Sequence, residues 1–290
     1  MNKTNSERAQ NEHFHEKLMR TDGGRTAAMK IGVRIESFRL PLAAACEKAS
    51  AMGIDGIQMN SGRDLSVWTK QRINEVKSIL DCYGLELSAF CGDIGGYSDP
   101  AVNVERVETF KRSLELSQQF GINVVTTHIG VVPAEDNEQR RVMWDACRKM
   151  AVHAEKCGAC FAVETGPETG RILADFLKSL DSAGARVNLD PANLVMVAGD
   201  DPIDAVEALA PYIVHTHAKD GIKLDPVKDG RPYLEVPLGQ GGVPFPKYLK
   251  KLREIGFDGY LAIEREVGAT PEADVKLAVD FLREQLAAME

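Results

Sequence analysis

The feature that most constrains the fold is a repeated unit of amphipathic helix, glycine and short apolar run. The glycines that punctuate the chain in this way are Gly53, Gly84, Gly121, Gly158, Gly184 and Gly256. Glycine commonly follows a helix end because it takes the left-handed conformation without steric cost. The strand-like runs lie at about residues 30–36, 54–60, 85–91, 122–128, 160–165, 186–190, 212–217 and 259–264. The pattern therefore predicts eight strands, each followed by a helix.

Strands that alternate with helices indicate parallel strands joined by right-handed crossovers. Eight such units predict an α/β fold of the (β/α)8 TIM barrel type, formed as a single domain by residues 29–290. A doubly wound open sheet is the alternative, but it favours a glycine-rich turn after its first strand, and residues 36–41 contain no glycine. Residues 1–28 are polar and have no apolar core of a signal peptide, so we expect a disordered or loosely packed N-terminal tail.

Composition excludes several classes of function. The net charge of −8 over 290 residues disfavours a nucleic-acid partner, and no apolar run is long enough to predict a membrane span. With 6 cysteines and no secretory signal, we expect free thiols and a cytoplasmic location. The Cys157-Gly-Ala-Cys160 spacing lies at the end of a helical stretch, where no helix N-terminus lowers the thiol pKa, so a redox role is not expected.

Four strand-like runs in a row end at a side chain that binds metals well. These side chains are Glu164, Asp190, His217 and Glu264. In a barrel, the C-terminal ends of the strands converge on one mouth. Buried carboxylates are costly unless they are paired or coordinate a cation, and three carboxylates with one imidazole suit a hard divalent ion. The pattern predicts a metal site; the alternative is a separate salt bridge for each acid at the rim.

The sequence motifs around these side chains resemble those of one known family. They read Val163-Glu-Thr-Gly-Pro-Glu-Thr169, Asn188-Leu-Asp-Pro-Ala-Asn-Leu194, His215-Thr-His-Ala-Lys-Asp220, Leu261-Ala-Ile-Glu-Arg-Glu266 and Pro237-Leu-Gly-Gln-Gly-Gly-Val-Pro-Phe245. They are similar to the sugar-phosphate isomerase/epimerase superfamily of xylose-isomerase-like TIM barrels, which includes ketose 3-epimerases, hydroxypyruvate isomerases and inosose dehydratases. The resemblance extends from about Met29 onward, and the most specific matches are the motifs around strands five to eight.

The resemblance implies that Glu164, Asp190, His217 and Glu264 bind one divalent metal ion, and that Glu164 and Glu264 also form the catalytic acid/base pair. Mn²⁺ is the preferred ion, with Mg²⁺, Co²⁺ and Zn²⁺ as alternatives. The implied function is isomerisation or epimerisation of a sugar or sugar phosphate, by proton transfer through a metal-bound enediolate. The alternative is a metal-dependent lyase or dehydratase that acts on a keto-sugar, keto-inositol or keto-glycoside.

Further residues are expected at the mouth as substrate-binding groups. They are His128, which ends strand four, Glu168 in the loop after strand five, Asn193 at a position where some relatives carry histidine, and His215 and Lys219 on either side of His217. For His215 and His128 a purely structural role is the alternative. The long segment from Asp220 to Gly242 is expected to be an irregular loop over the mouth that contacts substrate or acts as a lid.

Two other functional classes fit less well. The DNA-repair endonuclease branch of these barrels uses several metals and more histidines, and this chain has 6, two of them in the N-terminal tail. A non-catalytic sugar-binding barrel would not need the complete ligand set. The expected partner is a small carbohydrate, with no nucleic acid and no membrane, and a homo-oligomer remains open.

Overall fold

The computed structural model describes residues 28–289. The predicted tail, residues 1–28, lies outside the described residues except for its last position. The barrel strands are β1 (Lys30–Arg34), β2 (Gly56–Asn60), β3 (Glu86–Cys91), β4 (Val124–Thr127), β5 (Cys160–Glu164), β6 (Ala185–Leu189), β7 (Ile213–Ala218) and β10 (Tyr260–Ile263). Each lies at a predicted position. The domain boundary drawn at residue 28 stays a prediction.

The strands close into a parallel barrel in the order β1-β10-β7-β6-β5-β4-β3-β2. Closure is made by β1, which pairs with β10 on one side and with β2 on the other. An open sheet has two unpaired edges, so this pairing rules out the doubly wound alternative. The (β/α)8 barrel predicted from the sequence is confirmed.

Eight helices of eight residues or more surround the barrel within residues 28–289. They are α1 (Leu42–Ala51), α2 (Lys70–Tyr83), α3 (Pro100–Phe120), α4 (Glu138–Cys157), α5 (Gly170–Ser179), α6 (Pro202–Leu209), α7 (Phe245–Glu254) and α8 (Pro271–Ala287). Shorter turns of helix cover Ile35–Phe38, Leu65–Val67 and Pro191–Asn193, the last continuing into a π-helix at Leu194–Ala198. Among the described helices, none combines the length and apolarity required to cross a membrane.

The glycine stops behave as predicted in some units and differently in one. Gly121 and Gly158 follow α3 and α4 with φ of 75° and 69°, the left-handed cap expected there. Gly184 does not have this role, because α5 already ends at Ser179. A β-carbon on Gly184 would lie 2.2 Å from the main-chain oxygen of Ala151. Glycine is required at this position for close packing against α4 instead of as a helix stop.

The segment after β7 is not the irregular loop that the sequence suggested. Residues Asp220–Lys228 and Arg231–Val236 form an antiparallel hairpin, β8 and β9, separate from the barrel sheet. Pro226 and Pro232 favour irregular backbone in this segment, but the alternation of apolar and charged side chains around them forms paired strands. The hairpin rises from the C-terminal end of β7 and therefore stands beside the mouth, the end of the barrel where β1 to β7 and β10 finish.

Candidate metal centre

Four predicted ligands come together at the mouth. Glu164 is the last residue of β5, Asp190 and Glu264 directly follow β6 and β10, and His217 lies near the end of β7. Each contributes one ligand atom, and these atoms all lie within 4.8 Å of one another. All four side chains are buried, with exposures between 0% and 5%. Three carboxylates and one imidazole thus share a single enclosed space.

Two atoms in this space have no hydrogen-bond partner among residues 28–289. They are Nδ1 of His217 and Oδ2 of Asp190, which lie 3.6 Å apart. His217 Nδ1 is also 3.4 Å from an oxygen of Glu164 and 3.4 Å from an oxygen of Glu264. Buried polar atoms are rarely left unpaired, so atoms of this kind that face a common point indicate a missing partner. This donor set fits one divalent cation.

The protonation states follow from the charges in this enclosed space. Burial lowers the pKa of His217, but the charges of Glu264 and Glu164 outweigh it and raise the pKa to about 10. Burial raises the pKa of Glu264, but His217 and Lys219 bring it down to about 2. Glu164 likewise has a pKa held well below its usual value by His217 and His128 against the effect of burial. These pKa shifts leave Glu164 and Glu264 ionised and His217 protonated in the metal-free chain near neutral pH.

Asp190 is aimed by its local sequence. Its Oδ1 accepts hydrogen bonds from the main-chain N–H groups of Ala192 (2.8 Å) and Asn193 (3.1 Å), as an N-cap does. Its own N–H donates to Oγ1 of Thr165, and its carbonyl oxygen accepts from the same hydroxyl, both at 2.8 Å. With one oxygen and the main chain fixed, the other oxygen, Oδ2, points into the ligand cluster.

Glu264 is held between two cations that were not assigned this role from the sequence. The guanidinium of Arg34 donates to Oε1, and Lys219 Nζ donates to Oε2 at 2.9 Å. Lys219 also bonds Glu266 at 2.7 Å and is only 4% exposed. The sequence predicted Lys219 as a substrate-binding group, which stays a prediction; in the structure its Nζ contacts Glu264 and Glu266. Arg34 comes from β1, far from Glu264 in the chain, and no local motif distinguishes it in the sequence.

His128 lies at the rim with its ring held at both nitrogens. Nδ1 is 3.0 Å from Asp93 Oδ2, and Nε2 is 3.3 Å from Glu164 Oε1. The charge of Glu164 raises the pKa of His128 to about 12, with burial opposing and Asp93 assisting. The protonated ring is half-exposed, so it remains accessible to a bound substrate while it contacts a ligand.

Glu168 and Asn193 also lie near the cluster. Asn193 donates from Nδ2 to Glu164 Oε1 at 3.3 Å and to the main-chain oxygen of Thr165 at 3.1 Å. Glu168 is 5% exposed and accepts a hydrogen bond from the N–H of Val132 at 3.3 Å. Burial raises the pKa of Glu168 to about 7. It is therefore a carboxyl group that can carry a proton near neutral pH.

His215 lies one layer below the ligands, inside the barrel. Its Nδ1 is 2.9 Å from Asn188 Oδ1, its Nε2 is 3.2 Å from Ser88 Oγ, and the residue is 1% exposed. Burial, together with the charge of His217, lowers the pKa of His215 to about 3, so the ring is neutral. The ring lies edge-on to that of His217, with 6.1 Å between the ring centroids, and its partner Asn188 contacts Glu164 at 3.3 Å. Substrate binding by His215 stays a prediction.

Comparison with known proteins bears on this arrangement. The family model of the xylose isomerase-like TIM barrel matches residues 46–285. The chain belongs to this family. Among curated proteins, L-ribulose-5-phosphate 3-epimerase UlaE of Escherichia coli O157:H7 is 25% identical over 258 residues, which cover 82% of this chain and 88% of that protein. The resemblance inferred from the sequence is confirmed, and with it the expectation of an enzyme of the isomerase and epimerase class.

Solved structures give the same fold. A xylose isomerase domain protein from Planctomyces limnophilus superposes with a TM-score of 0.78 at 23% identity, over 90% of this chain and 98% of that chain. D-Psicose 3-epimerase from Clostridium cellulolyticum H10, solved with D-tagatose, superposes with a TM-score of 0.70 at 19% identity, over 89% of this chain and 99% of that one. At these identities the likeness concerns the fold.

Proposed function

We propose that the chain is a divalent-metal-dependent epimerase or isomerase of a ketose or ketose phosphate. The observation that carries the proposal is the buried cluster of Glu164, Asp190, His217 and Glu264, in which Nδ1 of His217 and Oδ2 of Asp190 lack partners. These four residues would hold the ion, with Mn²⁺ preferred for three carboxylates and an imidazole. When bound, the ion would polarise a substrate carbonyl and lower the cost of forming negative charge on its oxygen.

The roles of the two glutamates follow from their surroundings. Glu264 is ionised and held at both oxygens by Arg34 and Lys219, so it is fixed in position as a base that accepts the proton next to the carbonyl. Glu164 contacts the protonated ring of His128, which can supply a proton to the opposite side of the same carbon or to its neighbour. The first outcome is epimerisation; the second, in which the hydroxyl proton also passes to the former carbonyl oxygen, is isomerisation. Lys219 and His215 act through other side chains in this scheme, whereas His128, Glu168 and Asn193 contact the substrate.

The substrate class is supported by the names of relatives. UlaE is named for L-ribulose 5-phosphate, and the solved psicose epimerase holds a ketose. Both names specify the third carbon, so we propose a ketose epimerised at this position. A cytoplasmic location and a homo-oligomer stay predictions from the sequence.

A metal-dependent lyase or dehydratase is the second candidate because of Glu168. Elimination requires an acid that protonates the leaving hydroxyl, and Glu168 is a buried carboxyl group with a pKa of about 7. In this reading Glu264 removes the proton as before, and Glu168 gives its proton to the departing oxygen, so that water leaves and a double bond forms.

The test is solvent exchange, which detects proton removal whatever product forms. The full chain, stripped with chelator and reloaded with Mn²⁺, is incubated in D₂O with a panel of ketoses and ketose phosphates, and NMR follows loss of the proton at the third carbon. We expect exchange with at least one of them, and loss of exchange by about 10²–10⁴-fold in Glu264→Gln. New enone absorbance would select the lyase. A Mn²⁺-loaded protein that exchanges nothing would overturn the proposal.

A further inference from the structure

A glutamine on the far wall of the barrel contacts the histidine of the metal cluster. Gln58 lies in β2 and is 0% exposed, and its Oε1 is 2.8 Å from Nε2 of His217. The strands β1 and β10 separate β2 from β7 in the barrel order, so this bond crosses the interior. On its other side, the Gln58 amide donates from Nε2 to Oγ1 of Thr126 at 2.8 Å. Both ends of the amide are therefore engaged.

The bond decides where the hydrogen of a neutral His217 ring resides. A neutral imidazole has one N–H, and the nitrogen without it has the lone pair that binds a metal. An amide oxygen only accepts, so the contact with Gln58 Oε1 places the hydrogen on Nε2. The lone pair then lies on Nδ1, the atom that faces the three carboxylates and has no partner.

A second amide near the same nitrogen has the opposite preference. Nδ2 of Asn188 lies 3.2 Å from Nε2 of His217. An N–H donor there would bond to a lone pair on Nε2 and so favour hydrogen on Nδ1, which blocks the metal-binding atom. Asn188 is instead tied to Glu164 Oε2 (3.3 Å) and, through Oδ1, to His215 (2.9 Å). The contact of Nε2 with Gln58 is shorter than that with Asn188, so Gln58 determines that the hydrogen lies on Nε2.

We propose that Gln58 is a positioning residue that keeps the lone pair of His217 on Nδ1 and thereby sets the metal affinity of the cluster. The inference rests on the metal site of the proposed function and is independent of which sugar reacts. Groups that bond the second nitrogen of a ligating histidine fix its orientation and typically contribute about 10–100-fold to metal affinity. Gln58 occupies this position although its strand, β2, supplies none of the four predicted metal ligands.

Mn²⁺ affinity of the chelator-stripped full chain tests the inference. Gln58→Met fills a similar volume but has no oxygen, so among the described residues Asn188 is left as the polar contact of Nε2. We expect affinity to fall about 10–100-fold. Gln58→Glu keeps an acceptor at this place and should remain within about threefold of the parent. Ser117→Ala is the matched control, since it loses a buried hydrogen bond to Leu114 (2.7 Å) far from the cluster. Unchanged Mn²⁺ affinity in folded Gln58→Met would overturn the inference.

A measurement on the unaltered chain covers the case in which Gln58→Met does not fold. With ¹⁵N-labelled histidine and ¹¹³Cd²⁺, scalar coupling identifies the nitrogen that binds the ion. We expect coupling to Nδ1 of His217, with a hydrogen retained on Nε2. Coupling through Nε2 would overturn the inference while leaving the metal site intact. A chain that binds neither Mn²⁺ nor Cd²⁺ would overturn the proposed function together with it.

Discussion

Two buried aspartates, one directly after β6 and one two residues after β7, show opposite ways of keeping a carboxylate out of water. Asp190 follows β6 and Asp220 begins the hairpin after β7, and they are 0% and 1% exposed. Both oxygens of Asp220 are saturated by main-chain N–H groups. They accept from Gly221 (2.9 Å), Val243 (3.1 Å), Gly239 (3.0 Å) and Gly241 (2.8 Å). In Asp190 only one oxygen is so used, and the other has no partner.

The difference separates a structural carboxylate from a ligand. A saturated carboxylate has no lone pair to offer, so Asp220 fastens the glycine-rich turn to the base of the hairpin. A β-carbon on Gly241 would lie 2.1 Å from Asp220 Oδ1, which explains why glycine stands there. A buried carboxylate oxygen without a hydrogen-bond partner is costly, so the free oxygen of Asp190 indicates a ligand from outside the chain. The comparison therefore predicts different consequences for the two aspartates when each is altered.

Asp190→Asn should have the largest effect, and it should fall on metal binding. The amide keeps an oxygen to cap Ala192 and Asn193 but loses the charge that faces the ion. Since second-layer partners contribute about 10–100-fold to metal affinity, loss of a ligand should weaken Mn²⁺ binding by more than roughly 100-fold. The metal-free unfolding free energy should change by less than about 1 kcal/mol, because the capping bonds to Ala192 and Asn193 are retained. Calorimetric Mn²⁺ titration and urea unfolding measure the two quantities.

The control for Asp190→Asn is Asp201→Asn, which makes the same change at the N-cap of α6, where the side chain accepts from Ile203 at 2.8 Å. Its Mn²⁺ affinity should equal that of the parent. A large loss of metal-free stability in Asp190→Asn, with affinity preserved, would mean that Asp190 resembles Asp220 after all.

Asp220→Ala should show the reverse pattern. Four N–H groups lose their acceptor at about 1 kcal/mol each, so the unfolding free energy should fall by about 4 kcal/mol. For a chain of this size the melting temperature should drop by roughly 10 °C. Mn²⁺ affinity should stay within about threefold, because Asp220 offers nothing to the ion. A folded Asp220→Ala variant with the melting temperature of the parent would contradict the structural role. Asp220→Asn retains one acceptor oxygen, so its melting temperature should lie between those of the parent and Asp220→Ala.

The sequence predicted a ligand role for Asp190 and no role for Asp220, and the reason for this difference is physical. Asp190 ends an apolar run and belongs to a set of four strand ends, so barrel topology alone predicts that Asp190, Glu164, His217 and Glu264 meet. Asp220 bonds residues about twenty positions later, in a turn whose shape depends on the hairpin that precedes it. The glycines of residues 237–243 form a recognisable motif, but the sequence does not indicate that the Asp220 carboxylate accepts their N–H groups.

The same limit applies to the support around the metal cluster. The barrel itself was predictable because helix periodicity, glycine caps and strand lengths are local signals. Gln58 sits in the middle of an ordinary strand, and Arg34 ends a strand that carries no ligand, so neither differs from its neighbours until the barrel closes. His215 in β7 and Lys219 just after it were both singled out from the sequence, but the side chains that they contact come from β3, β6 and the loop after β10.

Metal binding should depend on pH at the cluster and not at Asp220. The pKa of His217 is about 10 in the metal-free chain, so below this pH the ring carries a proton that the ion must displace from Nδ1. A raised pKa means that the proton stabilises the metal-free state at low pH, and Mn²⁺ competes with it. The dissociation constant should therefore fall about tenfold for each unit that pH rises, from about pH 6 to about pH 8.

Calorimetry in two buffers of different ionisation heat checks this dependence by counting the protons released, for which we expect one per ion. Asp220→Ala should give the same slope, because its carboxylate takes no part in the exchange. An affinity that is flat over this pH range would show that His217 is not a ligand or is not protonated beforehand, and the assignment of the cluster would have to change.

The smallest expected effect concerns the hydroxyl that holds the backbone of Asp190. Thr165→Val removes Oγ1, which accepts from the Asp190 N–H and donates to the Asp190 carbonyl oxygen. Loss of these bonds should cost about 1–2 kcal/mol of unfolding free energy. Because the capping bonds of Asp190 to Ala192 and Asn193 remain, Oδ2 should shift only slightly, and Mn²⁺ affinity should fall by about threefold to tenfold. Thr165→Ser keeps the hydroxyl and should restore most of both quantities. The contrary outcome would be a Thr165→Val variant with lowered stability and unchanged Mn²⁺ affinity. In that case the capping bonds to Ala192 and Asn193, in the first turn after β6, would be sufficient to orient Oδ2 of Asp190.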